Sequence, residues 1–96
     1  MKDFNKVIYI DVDDCLIIDG HPNEQLIQKI MQWSMDGISI VVWTSNPLGV
    51  NHAKEAVKKC GLSYYVDMCL PKPYTIVDDD HLEYYNVIDP LTLKWR

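Results

Sequence analysis

Four stretches of the sequence carry residue types that can work on a phosphoryl group: Asp11-Val12-Asp13-Asp14, Thr44, Lys72 and Asp78-Asp79-Asp80. Taken singly each has an ordinary explanation, since an Asp or Thr after a strand is usually a turn residue or a helix cap. Taken together they call for a different one. Carboxylates gathered from both clusters would repel one another, so such a site requires a divalent cation, and hard oxygen donors with room for water suit Mg²⁺. A carboxylate beside that ion can attack phosphorus and form an aspartyl phosphate. A second carboxylate two residues on can protonate the leaving oxygen and then activate the hydrolytic water. Lys72 and the Thr44 hydroxyl suit the non-bridging phosphoryl oxygens, where charge must be stabilised.

The surrounding chain reads as the scaffold that brings these residues to one rim. Val7-Ile8-Tyr9-Ile10 is an apolar, β-prone run that stops in three acids, and Ile38 to Trp43 is a second buried strand stopping in Thr44-Ser45-Asn46. Between them Leu16 to His21 reads as a hairpin turning on Asp19-Gly20. A helix over roughly 22 to 36, with Pro22 in its first turn, carries Leu26, Ile27, Ile30, Met31 and Trp33 at helical spacing until Gly37. A second helix carries Ala53, Ala56, Val57 and Cys60 and closes at Gly61. Tyr64 to Met68 is expected as a third, peripheral strand, and Tyr74 to Val77 as a fourth running into Asp78. Leu70-Pro71-Lys72-Pro73 is expected outside regular structure, its prolines holding Lys72 in place. The tail from His81 is expected to pack as a short helix or turn and a last strand. In open α/β sheets ligands bind at the strand ends, and this order predicts an α/β fold, a three-layer α/β/α sandwich on a mostly parallel, Rossmann-like sheet.

Composition narrows the partners. With 48% hydrophobic and 24% charged residues the 96-residue chain suits one globular domain, 1–96, burying about 65% of its unfolded surface. The net charge of −5 is local: six of the fourteen acids lie at 11–14 and 78–80, leaving eight against nine Lys and Arg elsewhere. No basic stripe supports nucleic-acid binding; Lys54, Lys58 and Lys59 are read as helix solvation. Cys15, Cys60 and Cys69 form no CxxC pair and none has Arg six positions on, so neither a disulfide framework nor a cysteine-phosphatase loop is expected. With no secretory leader and no apolar run near ~20 residues, we expect a cytoplasmic protein without a membrane partner. His21, His52 and His81 are too scattered for a zinc set, although His21 and His81 lie near site segments. Trp33 and Trp43 are expected to pack in the core rather than to offer a surface for stacking bases.

In order along the chain, Ile8-Tyr9-Ile10-Asp11-Val12-Asp13, Val41-Val42-Trp43-Thr44, Lys72-Pro73 and Ile76-Val77-Asp78-Asp79 resemble the four motifs of the haloacid dehalogenase superfamily of phosphohydrolases. The resemblance implies a Mg²⁺-dependent phosphatase, a phosphoric monoester hydrolase working through an aspartyl phosphate. It makes Asp11 the nucleophile, and Asp13 the general acid/base whose backbone carbonyl also meets the metal. It makes Asp78 and Asp79 the acids that hold Mg²⁺, with Asp79 the direct ligand. The chain departs from the pattern after Asp13, where many members have Gly-Thr and Asp14-Cys15 stands here. Family members often carry a cap domain, for which neither the roughly thirty residues between Asp13 and Thr44 nor the gap to Lys72 leaves room. An open, capless site suits a macromolecular phosphate, or a small phosphorylated substrate if a homo-oligomer covers it. A nucleotidase or polynucleotide-end phosphatase is the narrower version. A receiver-like regulatory domain, or a catalytically weak binding module on the same fold, is the alternative; Thr44 stands where a receiver would carry its acceptor acid.

Overall fold

The computed structural model describes residues 2–79 and 86–95. Strand β1 (Asp3–Asp11) pairs in parallel with β4 (Ile38–Thr44), in register from Val7 opposite Ser39 to Asp11 opposite Trp43, with a shift between Asp3 and Val7. β4 pairs in parallel with β5 (Met68–Pro71), from Val41 opposite Met68 to Thr44 opposite Pro71, so the sheet runs β1-β4-β5. A two-residue pair, β2 (Ile17–Ile18) and β3 (His21–Pro22), forms the expected hairpin. Its turn residues Asp19 and Gly20 both take positive φ, 51° and 78°, as a tight type I′ turn requires.

Helix α1 (Glu24–Met35) follows β3, and α2 (Val50–Lys59) follows β4. Pro22 belongs to β3 rather than to the first turn of α1. The helix begins at the next opportunity because the Asn23 carboxamide caps it, accepting from the Leu26 N–H at 3.3 Å. The same side chain donates to Cys15 O at 3.0 Å and Pro90 O at 2.9 Å, tying the turn after β1 and the tail to the start of α1. Gly37, at φ 88°, ends α1 in the left-handed conformation that an L side chain resists.

Side chains alternate along a strand, and parallel register puts neighbours on the same face. Ile8, Ile10, Ile40, Val42 and Cys69 therefore share one face, and Val7, Tyr9, Asp11, Val41, Trp43 and Met68 the other. The helices pack on the first: Ile10, Ile40 and Val42 cluster with Leu26, Ile27 and Ile30 of α1 and with Ala53, Ala56 and Val57 of α2, while on the other face Ser39 and Val41 of the middle strand are buried as well. Right-handed crossovers that step the same way across a sheet stack their helices on one side. The described residues thus form a small α/β fold of two layers, and the second helical layer of a three-layer sandwich is not among them. On the other face Tyr9 is 51% exposed, and Val7 and Met68 are exposed as well. Trp33 packs against the core as expected, whereas Trp43 lies outside it on the open face, against Tyr9 with ring centroids 4.7 Å apart.

Three strand expectations change. Tyr64 and Tyr65 carry β-type residues but sit in a turn, where the Tyr65 and Val66 N–H groups both donate to Leu62 O; fully buried Leu62 sets that turn. The third strand accordingly forms later, at Met68–Pro71, and includes Leu70 and Pro71. Proline is tolerated because β5 is the edge strand in this sheet. Residues 74–77 form no strand: Tyr74 and Val77 are fully exposed, with no apolar face to bury. Of the tail, residues 81–85 lie outside the described residues. The last strand reduces to an isolated antiparallel bridge between Ile88 and Trp95, while Leu93 packs against the core. No helix among the described residues is long and apolar enough to cross a membrane.

Asp67 locks β5 to β4. Its backbone N–H donates to Ile40 O at 2.9 Å, and its carboxylate accepts from the Ile40 N–H at 2.8 Å and from Lys2 Nζ at 2.9 Å. Burial raises this carboxyl's pKa, but the Ile40 donor and the Lys2 ammonium outweigh it and hold the group below the usual carboxylate value. A carboxyl depressed in the folded state stabilises above its unfolded pKa of about 3.9, and that stability is lost as pH falls through the lower folded value. Asp67→Ala is expected to cost about 1 kcal/mol at neutral pH, given its partial exposure, with the deficit shrinking below about pH 4. Urea titrations of both proteins across that range check this. A deficit that stays constant into strong acid would contradict it.

Candidate functional site

The β1–β4 register places Asp11 beside Trp43 on the open face, at the end where both strands stop. Past Asp11 the chain folds back tightly: Cys15 and Ile17 N–H donate to Val12 O, and Leu16 N–H donates to Asp11 O. Buried Val12 and Leu16 anchor this turn and leave Asp13 and Asp14 exposed. Asp14 adopts φ 60°, the left-handed conformation that glycine takes freely and aspartate tolerates better than most residues.

Lys72 reaches the same rim from β5. Its N–H donates to Thr44 O at 2.7 Å, prolonging the β4–β5 pairing past Pro71, and its Nζ lies 3.3 Å from Asp11 Oδ1. The ammonium also sits 5.8 Å from the Trp43 ring centroid, so the indole supports the cation beside the carboxylate. Both side chains are about one-third exposed, so the pair adds little to stability. What it does provide is a positive charge beside Asp11.

Thr44 is placed differently from Asp11. It shares the inner face with Ile40 and Val42, is 1% exposed, and its Oγ1 accepts the Asn46 N–H at 3.0 Å. That bond shapes the turn into α2. Asn46 accepts the Leu48 N–H on its Oδ1 at 2.9 Å and turns its Nδ2 toward Asp13 Oδ2 at 3.4 Å. From the first turn of α2, His52 Nε2 meets the other oxygen, Asp13 Oδ1, at 3.0 Å. Asn46 and His52 are the site neighbours that sequence spacing did not identify. Their signal was faint: Asn46 follows a strand end, and His52 lies one helical turn before Ala56 on a helix that begins beside that strand end.

Asp78 and Asp79 lie on the exposed segment after Lys72, outside any strand, and Asp80 is outside the described residues. Among the described residues no three or more His, Cys, Asp or Glu side chains come together as a group able to hold a metal ion. In kind, the donors Asp11, Asp13, Asp78 and Asp79 are all hard oxygens and fit Mg²⁺. His21 stands in the hairpin, exposed, and His81 is outside the described residues. Burial pushes the Cys60 thiol up, with Glu24 adding to the effect and Lys59 opposing it, and burial likewise raises Cys69 against the pull of Lys54. Thiols so raised stay protonated near neutrality, which disfavours these two as nucleophiles.

Asp14→Gly should relieve the left-handed strain and raise stability by up to about 1 kcal/mol, a shift of some 4–8 °C in Tm for a chain of this size. Asp14→Val should lower it. Differential scanning calorimetry of the two variants decides, and a glycine variant less stable than the parent would contradict the strain. Family models, curated proteins and solved structures were each compared with this chain, and none matches it.

Proposed function

We propose that this chain is a Mg²⁺-dependent phosphatase of the haloacid dehalogenase type, acting on a phosphoric monoester through an aspartyl phosphate. The observation that supports it best is the 3.3 Å approach of Lys72 to Asp11, which draws the end of β1 and the proline-framed residue after β5 to one rim. Asp11 attacks phosphorus, and the P–O bond to the leaving group breaks as the new one forms. Asp13 gives its proton to the departing oxygen, then takes one from the water that hydrolyses the acyl phosphate, so both carboxylates return to their starting forms. Lys72 binds non-bridging oxygens. Thr44, buried on the inner face, serves through the turn that carries Asn46 rather than as a donor on the rim. The ion, held by Asp11, Asp13, Asp78 and Asp79, would offset the charge of the phosphate dianion among these acids.

On this reading the superfamily's three-layer architecture requires a further layer over Val7, Tyr9 and Trp43, and the open rim takes a phosphate on a macromolecule or a small one covered by a second copy of the chain. A receiver-like domain is less well supported, because β4 is the middle strand and carries Thr44 at its end rather than an acceptor acid.

Hydrolysis of p-nitrophenyl phosphate should depend on Mg²⁺ and stop in excess EDTA. Lys72→Ala should slow it by roughly a hundredfold, the scale seen when a single donor to developing charge is removed. Phosphatase activity that persists in EDTA, or that is indifferent to Lys72→Ala, would contradict the mechanism.

A further inference from the structure

From the two bonds that close on the Asp13 carboxylate, we propose that His52 is a positioning residue, holding that carboxylate in the orientation from which it transfers a proton to the leaving oxygen. This rests on the phosphatase reading above and adds a role to a residue outside its motifs. The Asp13 side chain is 53% exposed, while that of His52 is 25% exposed. An exposed carboxylate on a tight turn samples several rotamers, and a proton donor displaced by even an ångström loses much of its effect. Here each oxygen has its own partner, His52 Nε2 on Oδ1 and Asn46 Nδ2 on Oδ2. The two come from different supports: Asn46 is held by the buried Thr44 hydroxyl and by the Leu48 N–H, and His52 is carried by α2, whose Ala53, Ala56 and Val57 are buried in the core. The clamp therefore joins the turn after β1 to the elements after β4. No other described side chain forms an ion pair with Asp13.

A residue that acts through the general acid matters most where the leaving group most needs its proton. With p-nitrophenolate, which leaves readily, loss of orientation costs little; with an alkoxide it costs much. Steady-state kinetics of the full chain in Mg²⁺, with p-nitrophenyl phosphate and with glycerol 2-phosphate, separate the cases. His52→Ala is expected to lower kcat for glycerol 2-phosphate about tenfold or more and for p-nitrophenyl phosphate about threefold or less, a fraction of the full general-acid effect, with KM little changed. His52→Gln places a neutral N–H donor near the Nε2 position and should restore most of the loss, while the melting temperatures of both variants report folding. Equal losses on the two substrates, a change confined to KM, or no rescue by glutamine in a folded variant would overturn the positioning role while leaving the phosphatase standing. An inactive parent protein would instead remove the phosphatase reading and this inference with it.

Discussion

The parallel register of β1 on β4 is the constraint on which the rest of the molecule depends. Strand side chains alternate, so a slip of one residue would carry Ile8 and Ile10 to the open face and turn Tyr9 and Asp11 into the layer filled by α1 and α2. Burying the Asp11 carboxylate among Leu26, Ile30 and Ala53 without a partner would cost several kcal/mol. The alternation that packs the core is thus the one that aims Asp11 outward. Because Thr44 belongs to the inner set and Asp11 to the outer, the two strand ends do different work. Thr44 shapes the turn into α2, and Asp11 faces the Lys72 ammonium and the indole of Trp43.

Much of this was legible in residue order. The acids after an apolar run, the Asp19-Gly20 turn and the helical spacing of Leu26, Ile27 and Ile30 each express a local rule, and each element formed within a few residues of its expected bounds. Lys72 was legible only in part: its prolines were expected to keep 70–73 out of regular structure, yet Leu70 and Pro71 belong to β5 and the Lys72 N–H prolongs that pairing to Thr44 O. The strands after α2 were less so. Tyr64-Tyr65-Val66 has strong β character, yet burial of Leu62 bends that segment into a turn, and the edge position of β5 admits a proline that would have ended an inner strand. At 74–77 the β-type residues have no apolar layer to cover them, and propensity alone does not make a strand.

The clamp on Asp13 could not be read from spacing, because it joins residues 33 and 39 positions apart along the chain. His52 offered only a histidine on the first turn of a short helix, and Asn46 only a polar residue after a strand. Both acquire their place from the turn that Thr44 holds. Trp43 shows the same limit in reverse: an aromatic inside an apolar strand reads as core, but its register opposite Asp11 puts it on the face that α1 and α2 leave uncovered.

The central claim is that Asp11 is the atom donor to phosphorus. The Asp13→Asn variant, mixed with p-nitrophenyl phosphate and Mg²⁺ and quenched in acid within milliseconds to seconds, tests it most directly, because a leaving group that needs no proton can still depart while the base that activates water is missing. Mass spectrometry of the digested protein should then show one added phosphoryl group on the peptide containing Asp11, absent when Asp11→Asn is introduced as well. A phosphoryl group on residue 13, Cys15, Asp78 or Asp79, or turnover by the Asp11→Asn protein at the parent rate, would contradict the account.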